Sequence, residues 1–144
     1  IVISGEEQAV AKACVRLKEA GARKTIALNV SGPFHSSLLK PAGDKLLKLL
    51  EKKKVKELKI PYISNVNADI VYEKEMVVPL LAKQVYSTVR FRESIILMKS
   101  MGVNNFVEIG PGKTLSGFIK KIAPELNVIN IEKLPDLDKL KELK

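Results

Sequence analysis

At 144 residues and 46% hydrophobic, the chain is long enough to bury a core as one medium-sized domain. Its net charge of +9 points to acidic partners, and more than half of it lies in residues 40–59, where eight lysines stand against Asp44, Glu51 and Glu57. That stretch has no arginine for base contacts and no aromatic ring for stacking, which argues against nucleic acid, and no apolar run approaches the roughly 18 residues of a membrane-spanning helix.

Cys14 is the single cysteine, so no intrachain disulfide forms, which fits a reducing, cytoplasmic setting. One histidine and one cysteine leave only carboxylates to complete a metal site, and none stands at ligand spacing beside them. The opening "IVISGEEQAV" has no basic segment or cleavage site, so no signal peptide is expected. It also lacks an initiator methionine and opens on a strand-like run, which suggests a fragment.

Ile1–Ile3 reads as a buried strand. Ser4 and Glu7 have capping-box spacing and open a helix with Val10, Ala13, Cys14 and Leu17 on one face. Gly21 stops it, and Thr25–Val30 reads as a second strand, completing a β–α–β unit. "SGPFHSS" breaks the pattern. A helix follows from about Ser37, its N-cap, into the lysine run, with Leu38, Leu39, Ala42, Leu46, Leu49 and Leu50 as its stripe and Pro41 in its first turn. On that pattern the lysines form either a solvated helix face or a landing patch for an acidic partner.

Ile60–Ser64 reads as a short strand with "NVNAD" as its exit turn. Residues 74–86 read as a helix in which Pro79 sits uneasily. Another helix over Phe91–Met101 closes at Gly102. Asn105–Ile109 is a strand, "GPG" a tight turn, Thr114–Ile122 a helix and Val128–Ile131 a last strand. Pro135 opens a terminal helix with Leu137, Leu140 and Leu143 inward. The alternation predicts an α/β protein with a largely parallel sheet.

"FVEIGPGKTLSGF" suggests a phosphate loop, but the glycine required five residues before Gly112 is Val107, so the loop is too short to wrap a phosphate. Glu108 and Asp69 form no pair that the sequence brings together. His35, the only histidine, lies on an irregular loop between a strand end and a helix, where α/β proteins place chemistry. Its neighbours Ser36 and Ser37 are too close along the chain to serve as its nucleophile, and no G-x-S-x-G elbow occurs. The residues alone therefore offer a candidate base without a nucleophile.

"VSGPFHSSLLKPAGDKL", "PYISNVNAD", "KQVYSTVRFRESI" and "VEIGPGKTLSGFIKKI" resemble, in order and spacing, the C-terminal half of the malonyl-CoA:acyl carrier protein transacylases. The resemblance implies part of a large α/β-hydrolase-like subdomain over residues 31–144 and the last β–α–β of a ferredoxin-like small subdomain over residues 1–30. It implies transfer of malonyl from CoA to the phosphopantetheine thiol of acyl carrier protein through a malonyl-serine ester, with malonyl-CoA as substrate and no cofactor. His35 matches the catalytic histidine, and the Gln84 backbone carbonyl matches the acceptor that orients it.

Phe34 matches a position where an aromatic residue favours malonyl over larger acyl groups, and Asn65 matches an asparagine beside the active-site loop. Thr88 departs from the family, which usually has proline there, so the loop carrying Gln84 is expected to be less rigid. The family's G-H-S-x-G elbow, its carboxylate-binding arginine and its oxyanion Gly-Gln loop have no match in these 144 residues. The implied partners are thus acyl carrier protein and an N-terminal half of the same protein, with this chain inactive by itself. The competing reading is a non-enzymatic binding module that holds an acidic protein on its lysines.

Overall fold

The computed structural model describes residues 1–143. It contains α1 (Glu7–Glu19), a 3₁₀ turn at Ser37–Leu39 leading into α2 (Lys40–Leu50), and the strands β1 (Tyr62–Ile63) and β2 (Ile70–Val71). A 3₁₀ turn at Lys74–Met76 leads into α3 (Val77–Gln84), followed by α4 (Phe91–Ser100), β3 (Asn105–Ile109), α5 (Thr114–Ile122), β4 (Asn127–Ile131) and a 3₁₀ helix at Leu134–Glu142. This is an α/β chain. Among the described residues, no helix is long and apolar enough to cross a membrane. Two compact units divide it: Ile1–Val66 with Ile70–Val89, and Asn67–Asp69 with Arg90 onward.

In the first unit, α1 ends in a Schellman motif. Gly21 takes φ +92°, the Ala22 N–H donates to the Leu17 carbonyl at 2.9 Å, and the Gly21 N–H donates to the Lys18 carbonyl at 3.0 Å. Its start lies later than expected. Glu6, not Ser4, is the N-cap, and no side chain caps the helix. Val10, Ala13 and Cys14 share the half-buried face, while Leu17 is exposed and no residue of α1 is fully buried.

The strands expected at Ile1–Ile3 and Thr25–Val30 do not form. A strand needs a neighbour for its backbone groups, and these segments have no ladder among the described residues. Ile1, Val2 and Ile3 are exposed, as are Ile26, Leu28 and Val30. The alternating apolar pattern is present without a sheet to join.

Helix α2 begins three residues later than the expected start near Ser37, after the 3₁₀ turn, but Pro41 does lie in its first turn, where a missing N–H costs nothing. Ser37 is not its cap: Ser36 precedes the 3₁₀ turn and donates its hydroxyl to the Pro33 carbonyl at 2.7 Å. Gly43 is the buried residue of α2, with Leu39, Leu46, Leu47 and Leu50 half-buried around it; Leu38, Ala42 and Leu49 are exposed. Leu50 ends the helix, so Lys52, Lys53, Lys54, Lys56 and Lys59 lie beyond it and the lysine run is no single helix face. Pro79 falls in the first turn of α3 and leaves no kink to explain. β1 pairs antiparallel with β2, Tyr62 opposite Val71 and Ile63 opposite Ile70, a ribbon the sequence did not suggest.

The second unit follows the sequence more closely. Helix α4 ends in another Schellman motif at Gly102, whose φ is +84°. β3 and β4 pair in parallel, from Asn105 opposite Asn127 to Ile109 opposite Ile131. Ile95, Ile119, Ala123 and Leu126 form the core between helices and sheet, with Phe91, Met98, Phe106, Ile122 and Val128 packed on it. Pro135 does open the last element, but as a 3₁₀ helix. Leu137 and Leu140, expected inward, are exposed, and only Leu143 is half-buried. Their three-residue spacing matches the 3.0 residues per turn of that helix type, which aligns them along one outer face.

Candidate active site around His35

His35 stands two residues before the 3₁₀ turn that leads into α2. Two things hold it there. The Phe34 N–H donates to the Gly32 carbonyl at 2.9 Å, folding the loop tightly. The His35 N–H then donates to the Val85 carbonyl, 3.2 Å away just past the end of α3. His35 adopts φ +59° in this bend, a left-handed conformation uncommon for a residue with a side chain. Such conformations concentrate at functional sites, and nothing in the sequence signals this one because the residue is not glycine.

The imidazole reaches the same helix end. Nδ1 lies 3.0 Å from the Gln84 carbonyl oxygen, a contact between residues 49 apart in sequence. A carbonyl oxygen only accepts, so Nδ1 carries the hydrogen and Nε2 keeps its lone pair. The last carbonyls of a helix have no partner within it. Here the Ala82 and Lys83 carbonyls take the N–H groups of Val85 and Tyr86, while the Gln84 and Val85 carbonyls take the ring and the main chain of His35. Two consecutive orphan acceptors thus fix one residue. The contact expected from the resemblance is present despite Thr88.

The Gln84 side chain is tied separately. Asn65, one residue past the buried Ser64, donates Nδ2–H to Gln84 Oε1 at 3.2 Å. Asn65 and Gln84 are both half-buried, whereas the His35 side chain is exposed. Phe34, adjacent to His35 in the chain, is 51% exposed rather than packed away. The structure thus gathers His35, Phe34, Gln84 and Asn65 within the first unit. What the sequence missed is Gly43, against which the Tyr86 ring and the Ala82 carbonyl pack directly. An isolated glycine within a helical pattern was the available signal.

The other candidates resolve as structural. Glu108 accepts from the Leu115 N–H at 3.0 Å, the Ser116 N–H at 2.9 Å and the Ser116 hydroxyl. It therefore fills the N-terminus of α5, where a phosphate loop would hold its phosphate. The Ser116 hydroxyl and N–H, together with the Leu115 N–H, hold its carboxyl below the ordinary glutamate range against the opposing effect of burial. The buried Asn130 side chain donates to the carbonyls of Glu108, Gly110 and Gly112 and so fixes the intervening turn. No group of three or more metal-ligating side chains occurs among the described residues. All eight lysines of residues 40–59 are exposed, and Lys40 pairs with Asp44 at 3.0 Å.

No family model matches the chain. A malonyl CoA-acyl carrier protein transacylase of Bacillus subtilis (strain 168) is 48% identical over 131 residues, which is 91% of this chain and 41% of that protein. Among solved structures, a crystal structure of MCAT from Streptococcus pneumoniae superposes with a TM-score of 0.89 at 45% identity, covering 96% of this chain and 45% of the other. A type II PKS acyl-carrier protein in complex with its malonyl-transacylase provides a further match, with a TM-score of 0.92 at 34% identity over 97% of this chain and 45% of that one. The chain spans less than half the length of the curated relatives it matches. By sequence and by fold alike, the chain is similar over nearly all of its length to malonyl CoA-acyl carrier protein transacylases.

Proposed function

We propose that this chain carries the catalytic base of a malonyl transacylase and works with a serine nucleophile from outside these 144 residues. The observation that carries the reading is the 3.0 Å contact from His35 Nδ1 to the Gln84 carbonyl. A general base needs one ring nitrogen held by a fixed acceptor and the other free toward the nucleophile. The exposed imidazole meets both needs, since the helix end takes Nδ1 and Nε2 is left open.

The chemistry follows from that arrangement. The serine hydroxyl gives its proton to His35 Nε2 as its oxygen attacks the thioester carbonyl of malonyl-CoA. The imidazolium returns the proton to the departing CoA sulfur, leaving a malonyl-serine ester. The phosphopantetheine thiol of acyl carrier protein then gives its proton to Nε2, its sulfur attacks the ester, and the serine oxygen recovers the proton. Phe34, beside the base, walls the acyl pocket and keeps it short. The exposed lysines of residues 40–59 steer the acidic carrier protein.

On this reading residues 1–30 belong to a small ferredoxin-like subdomain and residues 31–144 to the large one. The unpaired apolar alternation at Ile26, Leu28 and Val30 supports this, because it suits a strand whose neighbour lies outside the chain. The test is transfer of malonyl to carrier protein. This chain alone should form no stable malonyl ester by intact mass. Joined to a segment that supplies the nucleophile, it should transfer malonyl, and His35→Ala should abolish most of that turnover.

A further inference from the structure

We infer that Asn65 is a positioning residue, acting on His35 through Gln84. This rests on the reading of His35 as the base. Three observations carry it. Asn65 Nδ2 donates to Gln84 Oε1 at 3.2 Å, and the carbonyl of that same Gln84 accepts from His35 Nδ1 at 3.0 Å. Gln84 is the last residue of α3, where the chain tightens: the Val85 N–H reaches the Ala82 carbonyl only at 3.4 Å. That long bond holds the peptide after Gln84 weakly, because a frayed helix end holds its carbonyls poorly.

Asn65 supplies a second anchor from another part of the fold. It follows β1 and the buried Ser64, whose hydroxyl accepts from the Val66 N–H at 3.2 Å and braces the turn. The Gln84 side chain is thus pinned to a braced turn while its carbonyl is aimed at the imidazole. Asn65 touches neither the ring nor the acyl group in this account. It sets which tautomer His35 adopts.

His35 is the only histidine of the chain, so its ring nitrogens give an unobstructed readout. Nitrogen-15 NMR of the chain at alkaline pH, where imidazoles are neutral, measures the ratio of the Nδ1–H to the Nε2–H form. The wild-type chain should show mainly Nδ1–H. Asn65→Leu should lower the ratio several-fold, and Gln84→Ala should do the same. The double variant should match either single one, because both remove one interaction. Asn65→Asp should restore the wild-type ratio, since the Gln84 amide can turn and donate to the new carboxylate. Should Asn65→Leu fail to fold, Gln84→Ala with Asn65→Asp decides the matter by the same ratio. A wild-type ratio with Asn65→Leu or Gln84→Ala, or additive effects, would overturn the role of Asn65 while leaving His35 as base. A wild-type chain lacking the Nδ1–H form would overturn the underlying reading instead.

Discussion

Gly43 of α2 lies against Tyr86 so closely that a Cβ there would stand 2.5 Å from Tyr86 Cδ1 and 2.8 Å from the Ala82 carbonyl oxygen. Real Cβ atoms do not approach backbone oxygen so nearly, and a carbonyl within α3 cannot swing aside as a flexible side chain can. Gly43 therefore sets the distance between α2, which follows His35, and the end of α3, which carries Gln84. Gly43→Ala should cost about 1–3 kcal/mol of stability, the usual range for overpacking. Urea unfolding checks it, and an unchanged midpoint would mean that α2 and α3 are not held this close.

Strain at His35 gives a prediction about stability alone. Its φ of +59° suits glycine and disfavours alanine. His35→Gly and His35→Ala both remove the imidazole. The glycine variant should nevertheless unfold at higher urea than the alanine variant, by about 0.5–1 kcal/mol. Equal stability, or alanine the more stable, would place this residue in ordinary backbone conformation.

The lysines beyond α2 predict a kinetic split. Reversing Lys52, Lys53 and Lys54 to glutamate in a complete transacylase should raise KM for acyl carrier protein and leave KM for malonyl-CoA nearly unchanged. The effect should shrink as salt rises, since exposed charges are screened. Equal changes for both substrates, or none, would make this run a solvated loop without a partner.

Glu108 predicts the direction of an acid effect. Its carboxyl is held below the ordinary range by Ser116 first and then by Leu115. A depressed carboxylate stabilises the fold above its unfolded pKa, about 4.3, and that contribution is lost as pH falls through its lower folded value. Stability measured from neutral pH downward should therefore fall less steeply in Glu108→Gln than in the wild type. A parallel acid profile for the two would remove Glu108 from the N-terminus of α5 in solution.

How much of this was legible depended on how local the cause was. The bounds of β3 and α5 follow from a strand run, a glycine turn and a helical stripe that lie next to each other in sequence. Gly21 and Gly102 stop helices for reasons contained within six residues. The strands expected at Ile1–Ile3 and Thr25–Val30 do not form here because alternation marks a surface that suits a sheet, and a sheet also needs neighbours. Glu108 was legible as a carboxylate but not as a cap, since it reaches Leu115 and Ser116 across a turn. Resemblance alone singled out Gln84, whose side-chain type says nothing about a contact made by its backbone. Residue type was equally silent about the backbone bend at His35, whereas an isolated glycine in a helical pattern did signal a close approach at Gly43.

The base assignment itself is tested most directly by single-turnover transfer of malonyl from CoA to the serine of a transacylase that includes this chain. His35→Ala should slow that step by about 10²–10⁴-fold, the usual contribution of a positioned base. Gln84→Ala keeps the backbone carbonyl and should slow it only about tenfold, the cost of one lost hydrogen bond. Near-normal acylation by His35→Ala, or losses of the same size in both variants, would contradict the assignment of His35 as a base held by a backbone carbonyl.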